Sequence, residues 1–437
     1  MEKRVWNCKA GSFIGFESSG CYHLRGIRYA TSERYAAPVP YVYPEGVHEC
    51  VEPSPYCVQN ESRIEGRLIN VWYSKVPQVE SCQFLSVTMP DDVTEDSKLP
   101  VMVWYHGGAF KNGGCENYVY RRDLLCKEQN VIVVGVNYRL SVFGLVRDTD
   151  GNMTNNGLLD AIEGLRWVKE NISSLGGDPD NITIFGQSAG AELVRCMLIS
   201  ENTDGLFTRA IIQSAPLGTI VGRRGMDEKI LAELNTYPAD LSTGGMIDAQ
   251  NRIMSHVTEK GRPKEMLFAL HYGVYPLPDE SDVPDGFKKA ASKYPILIGS
   301  NTREVMAYVG GEVRLRRLYR IPLLRSIVKK EVDKATQEIF REPAREFAHQ
   351  YAKYGGTTYL YDFHWREDAF LGSCHGAEFP LLFGADGFAE NTDLTVGMTV
   401  DEINELGKQF RGIWAGFARD GEIKEMSIDG VIDIQRL

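Results

Sequence analysis

The chain has 437 residues, of which 43% are hydrophobic and 24% are charged, a composition typical of soluble globular proteins with a sizeable core. Its formal net charge of −11 argues against nucleic acid or an anionic membrane as a main partner. The N-terminus lacks the apolar segment of a signal peptide, and no run of about 18 apolar residues could span a bilayer. The nine cysteines lack metal-type C-x-x-C spacing and suit a reducing compartment, so a cytoplasmic location is predicted.

Short apolar runs alternate with turn residues along the first ninety positions, which predicts the antiparallel edge of a sheet. The runs are Gly11–Phe16, Cys21–Tyr29 and Phe84–Met89. Further along, apolar residues at helical spacing predict a helix over Asn156–Asn171. Apolar runs that predict buried strands are Leu99–Tyr105, Val131–Val136, Ile182–Phe185, Arg209–Ser214, Tyr294–Gly299 and Thr358–Phe363. Strands that alternate with helices predict an α/β fold, with a mostly parallel central sheet and helices on both faces.

A catalytic nucleophile is predicted where the strand Ile182–Phe185 runs into Gly186-Gln187-Ser188-Ala189-Gly190 and then into a helical run. This strand, G-x-S-x-G and helix order is the context of a nucleophile elbow. The glycines allow a strand to turn sharply into a helix, and the turn presents Ser188 at a helix N-terminus. An ordinary glycine-rich turn is the alternative, which the flanking pattern makes less favoured.

Stabilisation of a tetrahedral oxyanion requires preorganised N–H donors, and a second glycine-rich loop is placed to supply them. The loop His106–Phe110 follows the predicted strand Leu99–Tyr105 and contains Gly107, Gly108 and Ala109. Its N–H groups, with that of Ala189 after the nucleophile, are the predicted oxyanion hole. A glycine-rich turn without function is the alternative.

The expected chain order of nucleophile, acid and base limits the choice of the remaining partners. The acid should follow a strand, and Glu304 does so after Tyr294–Gly299. The histidines that follow Ser188 are His256, His271, His349, His364 and His375. His375 lies in a glycine-bounded loop after a predicted strand and is favoured as the base, whereas His364 ends the strand itself and is interpreted as structural.

The residues from about Phe13 to Gly421 resemble the type-B carboxylesterase and cholinesterase-like family of the α/β-hydrolase fold. The stretches that carry the resemblance include WYHGGAF at 104–110, GGDPDNITIFGQSAGA at 176–191, ILIGSNTRE at 296–304, CHGAE at 374–378 and WAGFARDG at 414–421. The resemblance implies Ser188 as nucleophile, Glu304 as acid and His375 as base. It also implies an oxyanion hole from Gly108, Ala109 and Ala189, with Gly107 supporting the loop, and it requires no metal or cofactor.

The chain departs from the family pattern around the predicted triad. The residue before the nucleophile is usually Glu and is Gln187 here, while Val305 replaces a Gly and Pro216 replaces a Ser that many members carry near the acid. Gln187, Glu378 and Ser214 are predicted to surround the triad. Because the neutral amide of Gln187 removes a carboxylate beside the histidine, we expect less electrostatic help for cationic substrates.

Two further pairs follow from the resemblance. Cys57 and Cys82 stand where secreted members close a disulfide, and the sequence leaves that bond undecided. Arg34 and Glu80 match a structural ion pair of the family.

The whole chain, 1–437, is predicted to be a single domain with cap-type insertions at roughly 226–290 and 310–350. The segment 314–330 is basic and amphipathic, which suits a membrane-surface helix or a solvated helix face, and the solvated face is favoured.

The predicted activity is that of a serine carboxylesterase, which hydrolyses esters through an acyl-serine intermediate. Amidase, carbamate hydrolase or lactonase activity on the same triad is the nearest alternative, and a non-catalytic binding protein is a more distant one. The expected partner is a small, apolar ester, with no nucleic acid and no membrane, and the expected state is a monomer or weak homo-oligomer.

Overall fold

The computed structural model describes residues 3–62, 66, 68, 75–219, 222–257, 266–388, 392–424 and 426–437. Its strands are β1 (Lys3–Cys8), β2 (Gly11–Ser18), β3 (Cys21–Arg28), β4 (Ala30–Thr31), β5 (Val39–Pro40), β6 (Val47–Glu49), β7 (Tyr56–Cys57), β8 (Gln78–Val79), β9 (Phe84–Pro90), β10 (Leu99–Tyr105), β11 (Ile132–Val136), β12 (Gly177–Gln187), β13 (Arg209–Gln213), β14 (Ile296–Asn301), β15 (Thr358–Phe363), β16 (Ser427–Ile428) and β17 (Ile432–Arg436).

The α-helices are α1 (Asp123–Gln129), α2 (Ser141–Gly144), α3 (Asn156–Asn171), α4 (Ala189–Met197), α5 (Arg224–Leu234), α6 (Thr243–His256), α7 (Val283–Ala291), α8 (Met306–Gly311), α9 (Val313–Tyr319), α10 (Pro322–Thr336), α11 (Glu342–Lys353), α12 (Phe379–Phe383) and α13 (Val400–Asp420). A π-helical turn, Gln337–Arg341, joins α10 to α11, and short 3-10 turns lie at Ile172–Leu175, Leu217–Thr219, Glu280–Asp282 and Ala385–Gly387.

Within the described residues a 13-stranded sheet forms the centre of the molecule, in the order β1-β2-β3-β9-β11-β10-β12-β13-β14-β15-β17-β16, with β6 beside β2. The six strands from β11 to β15 in this order pair in parallel, and antiparallel strands flank them on both sides. Every residue of β10, β11 and β14 is buried, as expected for parallel strands covered on both faces. The predicted α/β-hydrolase type of sheet is confirmed.

Helices with one apolar face cover the two sides of this sheet. On one side α3 buries Leu158, Leu165 and Val168, and on the other α13 buries Phe410 and Trp414. Sequence signals at both ends of α13 determine where this helix begins and ends. Thr399 and Glu402 form a capping box at its start, and Gly421 ends it in the left-handed conformation at φ 74°.

Several local predictions can be compared with this fold. The predicted helix Asn156–Asn171 is confirmed as α3. Arg34 and Glu80 form the expected ion pair, with Arg34 Nε 2.7 Å from Glu80 Oε2. Cys57 and Cys82 are free thiols, as are all nine cysteines.

The range 226–290 contributes all of α6 and most of α5 and α7, and 310–350 contributes α9, α10 and most of α11. The role of these ranges as caps stays a prediction. No helix in the described ranges is both long enough and apolar enough to cross a bilayer.

Candidate active site

The nucleophile elbow has the geometry that its glycines suggest. Ser188 stands between β12 and α4 with φ 58° and ψ −124°, a conformation that a residue with a side chain rarely adopts. A Cβ on Gly190 would lie 2.0 Å from the carbonyl oxygen of Tyr105, and one on Gly186 would lie 2.5 Å from the carbonyl carbon of Gly190. Because both contacts are with backbone, only glycine allows the turn to approach β10 this closely.

Ser188 is held in this conformation by the strand beside it. Its N–H donates to the carbonyl oxygen of Gln213 at 2.8 Å, and its own carbonyl accepts from the N–H of Glu192 in the first turn of α4. The serine therefore precedes the N-terminus of a nine-residue helix, where the partial positive charge favours a developing anion.

Glu304 and His375, the predicted acid and base, lie in contact. His375 Nδ1 is 2.6 Å from Glu304 Oε2, and the Glu304 side chain is fully buried. The other carboxylate oxygen, Oε1, accepts from the N–H of Asn301 at 2.7 Å, and the His375 N–H donates to the Glu304 carbonyl at 3.1 Å. This arrangement fixes the imidazole tautomer with its proton on Nδ1 and a lone pair on Nε2.

The predicted oxyanion loop follows β10 on an unusual backbone path. Gly108, Ala109 and Phe110 have φ of 111°, 53° and 57°, and a Cβ on Gly108 would lie 2.1 Å from the Asn112 carbonyl oxygen. Such strain at non-glycine residues is a feature of functional loops.

Buried contacts hold this loop. His106 Nδ1 is 2.8 Å from the Gly107 carbonyl oxygen, and its ring stacks on Tyr138 at 4.6 Å between centroids. Tyr138 donates from its hydroxyl to the His106 carbonyl at 2.6 Å. Burial lowers the pKa of His106 to about 4, so this histidine is neutral and supports the loop. Sequence analysis did not identify Tyr138, although it lies in the apolar stretch that follows β11.

Gln187 directly contacts the predicted base. Its side chain is buried at the end of β12, and Gln187 Nε2 lies 3.1 Å from His375 Nε2. With the imidazole proton on Nδ1, the amide donates and the imidazole nitrogen accepts. The neutral residue predicted to lie near the triad therefore occupies the nitrogen that a general base must use.

Glu378 lies behind the His375–Glu304 pair and is fully buried. Its Oε2 accepts from Asn301 Nδ2 at 2.8 Å, and the same amide donates to the Cys374 carbonyl at 2.7 Å. Burial and, to a lesser extent, the nearby charge of Glu304 together raise the pKa of Glu378 to about 7. Asn301 thus connects the loops of Glu304 and His375, a role that sequence analysis missed although the residue lies in the ILIGSNTRE stretch.

The remaining candidates have neighbours of their own. The Ser214 side chain is fully buried beside the Tyr361 hydroxyl. His364 Nε2 lies 3.2 Å from Asp433, and His271 Nδ1 lies 3.2 Å from Asp227, so each has a carboxylate partner outside the site. Phe340 in the π-helical turn packs at 5.1 Å from the His375 ring and was not predicted.

A cavity of about 120 Å³ opens in front of Ser188, lined by both polar and apolar side chains. It brings together the serine, His375, Gln187 and the oxyanion loop. Its described lining residues are Ser62, Leu68, Gly107, Gly108, Ala109, Lys111, Asn112, Tyr120, Gln187, Ser188, Ala307, Tyr308, His375, Gly376, Phe379 and Leu394.

Comparison with known proteins gives a consistent result. A sequence model of the Carboxylesterase family matches residues 2–315 and 324–429. The chain is 33% identical over 411 residues to a protein of Rhodococcus erythropolis named "probable N-octanoylanthranilate hydrolase", covering 92% of this chain and 90% of that protein. It is 29% identical to the para-nitrobenzyl esterase of Bacillus subtilis, covering 96% and 91%.

Among solved structures, a thermophilic para-nitrobenzyl esterase superimposes with a TM-score of 0.81 at 25% identity, covering 99% of this chain and 97% of that one. The fold, the family match and the related sequences agree. The chain belongs to the type-B carboxylesterase family and is a carboxylic ester hydrolase.

Proposed function

We propose that ester hydrolysis proceeds in two steps through an acyl group on Ser188. His375 removes the serine proton through Nε2, and Glu304 holds the imidazole and stabilises its cation. The alcohol leaves with a proton from His375, and water then attacks the acyl-enzyme by the reverse proton route. The observation that carries this proposal is the 2.6 Å contact between His375 Nδ1 and Glu304 Oε2 beside the strained elbow of Ser188.

The oxyanion would form in a hole made by the N–H groups of Gly108, Ala109 and Ala189. Support comes from the strained path of residues 108–110 and from their place in the same cavity as Ser188. Gly107 has a different task, because a Cβ there would lie 2.8 Å from the Gln187 carbonyl oxygen and would separate the loop from the elbow. Removal of one such donor typically costs about 3–4 kcal/mol of barrier stabilisation.

Gln187 regulates access to the proton acceptor in this mechanism. Its amide donates to the lone pair of His375 Nε2 in the free enzyme. Ser188 must compete for that lone pair before it can lose its proton. A hydrogen bond to the neutral imidazole also favours the neutral form, so Gln187 keeps the base ready at a lower pH.

The substrate is proposed to be a small, apolar ester. The cavity of about 120 Å³ is small beside the pockets of about 300–1,000 Å³ that bury drug-sized ligands, so we infer that it encloses the reacting end of the substrate. Leu68, Phe379 and Leu394 offer apolar contact to that end, and the rest of the substrate extends towards the opening.

Hydrolysis of the amide bond of an N-acyl anthranilate is a second candidate. The relative from Rhodococcus erythropolis is named for that activity, and Lys111 contributes a cationic side chain to the lining of the cavity. A carboxylate on the leaving group would be attracted to this cation. Parallel assays of an N-acyl anthranilate and of the matching phenyl ester distinguish the two activities.

The Ser188→Ala variant tests the proposed nucleophile. We expect turnover of p-nitrophenyl acetate to fall by at least about a thousandfold, because the residual catalysis of such variants comes from the oxyanion hole and binding alone. Labelling by a fluorophosphonate probe should also disappear. Ser255→Ala, on the exposed end of α6, is the matched control and should keep both. Full activity or full labelling of Ser188→Ala would exclude this serine.

We further propose a single domain over residues 1–437, a cytoplasmic location and a monomeric or weakly self-associating state. The nine free thiols suit a reducing compartment. Cell fractionation and sedimentation over a range of concentrations test the location and the state.

A further inference from the structure

The helical hairpin formed by α9 and α10 exposes large apolar side chains at its tip. The tip, defined here as residues 318–327, includes Ile321, Leu323 and Ile327, which are 48%, 78% and 58% exposed. Leu318 at the end of α9 is 40% exposed. Single exposed apolar residues are ordinary on protein surfaces, but four within ten positions of one hairpin form a patch that indicates an interaction site.

The same hairpin concentrates positive charge. Residues 313–330 contain seven cationic side chains and no acidic one, in a chain whose net charge is −11. Arg316 pairs with Asp393 and Lys329 pairs with Asp333. The other five form no ion pair with any described residue: Arg314, Arg317, Arg320, Arg325 and Lys330. The net charge of the whole chain therefore gives no guide to this surface, whose local field attracts anions.

Two apolar residues and a lysine share the outward face of α10. Leu323, Ile327 and Lys330 follow at spacings of four and three residues, so they lie on one side of the helix. All three are exposed, whereas Val332 on another side is buried against the protein. A short apolar stripe with a lysine beside it, on a hairpin rich in arginine, is the kind of arrangement found in helices that lie in the interface of a membrane.

The hairpin is fixed beside the mouth of the cavity. Arg303 Nη2 donates to the Tyr319 hydroxyl at 3.2 Å, and Arg316 pairs with Asp393, the neighbour of Leu394 in the cavity lining. The helix α8, which precedes the hairpin, contributes Ala307 and Tyr308 to the same lining. By contrast, residues 316–323 fall in the gap of the family match, so the part of the tip that carries Leu318, Ile321 and Leu323 lies outside the shared pattern.

We propose that the hairpin tip docks the enzyme on membrane surfaces that carry anionic lipid. Ile321, Leu323 and Ile327 would enter the boundary between headgroups and acyl chains, and the unpaired arginines would bind lipid phosphates and carboxylates. The charge of the tip is complementary to such a surface, which is the reason to prefer it to a neutral partner. The solvated helix face favoured by the sequence is the alternative, and vesicle binding distinguishes the two.

Docking would place the cavity mouth near esters dissolved in the bilayer, a consequence that rests on the proposed esterase function. Membrane binding itself does not depend on that function, so the test measures binding and activity separately. Purified full-length enzyme is co-sedimented with vesicles of phosphatidylcholine, alone or with about one third phosphatidylglycerol. Hydrolysis of p-nitrophenyl acetate in the absence of vesicles is measured on the same samples.

We expect the enzyme to bind the anionic vesicles and to be released as salt rises from about 0.1 M to about 1 M, since the Debye length then shortens from about 10 Å to about 3 Å. The pair of changes Leu323→Asp and Ile327→Asp should weaken binding at least about tenfold. Replacing Arg317, Arg320 and Arg325 together by Gln should weaken it about a hundredfold, at about fivefold for each charge. Activity on the soluble ester should be unchanged in both variants.

Two control variants address surface changes elsewhere. Lys288→Gln with Lys289→Gln removes two exposed charges from α7, and Val42→Asp replaces an exposed apolar side chain far along the chain. Both should bind vesicles as the unchanged enzyme does.

Equal binding to neutral and anionic vesicles, or full binding by the Leu323/Ile327 variant, would overturn the proposal. The proposal would also fail if the enzyme did not bind vesicles but formed a dimer that is lost in the Leu323/Ile327 variant. That result would identify the tip as a self-association surface. Loss of ester hydrolysis in Ser188→Ala with vesicle binding retained separates the two proposals.

Discussion

Replacement of Gln187 by Glu changes one buried contact of the predicted base. In the present enzyme the Gln187 amide nitrogen lies 3.1 Å from His375 Nε2 and donates to it. A glutamate of the same length would bring a carboxylate oxygen to that position. The neutral imidazole would lose a hydrogen-bond donor, and the imidazolium would gain an anionic partner, so both effects raise the pKa of His375.

The size of the effect follows from this distance. Opposite unit charges 3.1 Å apart attract by about 5 kcal/mol at an effective dielectric constant of 20. Burial of the new carboxylate costs part of this, which leaves an expected rise of about 1–3 pKa units, or about 1.4–4 kcal/mol. Gln187→Met removes the donor without adding charge and should raise the pKa by less than about one unit, because one neutral hydrogen bond contributes about 1 kcal/mol.

The pH dependence of kcat/KM measures this pKa in the free enzyme. Only the neutral imidazole accepts the serine proton, so the acidic limb of the profile should move to higher pH in the order Gln187, Met, Glu. A neutral short ester is the substrate, and Gln350→Glu on the exposed face of α11 controls for added surface charge. An acidic limb that stays in place in Gln187→Glu would refute the inferred contact between this side chain and the base.

The same variant tests electrostatic selectivity. A carboxylate in the wall of the cavity should favour a quaternary ammonium ester over a neutral ester of equal size, in line with the expectation from the sequence that Gln187 gives little help to cations. The preference is measured as a ratio of kcat/KM values at a pH where His375 is neutral in both enzymes. An unchanged ratio would contradict the electrostatic interpretation.

Two further predictions concern stability. The pKa of Glu378 is about 7 in the folded chain and near 4.5 when unfolded, so the folded protein binds the extra proton and its free energy of unfolding falls as pH rises from about 4.5 through 7. The stability of Glu378→Gln does not fall in this way. Its free energy of unfolding in urea, relative to that of the unchanged enzyme, should therefore rise by about 3 kcal/mol between pH 4.5 and 8. If this difference in free energy stayed constant with pH, Glu378 would titrate normally. Gly190→Ala should destabilise the fold by about 1–3 kcal/mol and abolish activity, because its Cβ would lie 2.0 Å from the Tyr105 carbonyl oxygen. The control Gly416→Ala, in α13, places its Cβ in open space and should be neutral or stabilising. Equal thermal unfolding of the two variants would contradict the close approach at the elbow.

The sequence predicted the centre of the fold because its parallel strands are continuous apolar runs. The runs Leu99–Tyr105 and Thr358–Phe363 appear as β10 and β15 with the same limits. The helices α5 and α6 were harder to predict, since their apolar positions are sparse and α5 begins after Arg223 without a side-chain cap. Their positions depend on distant contacts, such as Arg34 donating to the Leu241 carbonyl.

The site could be predicted as a set of residues but not as a set of contacts. Chain order and motif spacing indicated Glu304 and His375, and the structure brings their side chains together; their catalytic roles stay predictions. The spacing of motifs does not specify which atom of His375 contacts a neighbouring side chain, so the contact with Gln187 could be identified only from the structure. The exposure of the hairpin tip was equally inaccessible, because a helical pattern does not specify which of its faces the protein covers.

The neutral residue before the nucleophile is best understood together with Glu378. Glu304 and Glu378 already place two buried carboxylates near one imidazole, and their mutual repulsion contributes to the raised pKa of Glu378. A third carboxylate at position 187 would lie against the same imidazole and would add to that repulsion, since unpaired charge is costly in a buried site. Gln187 keeps a hydrogen-bond donor at His375 without this charge. The base is therefore held by direct contact with one carboxylate, that of Glu304, and a single substitution at 187 or 378 should change the charge around it.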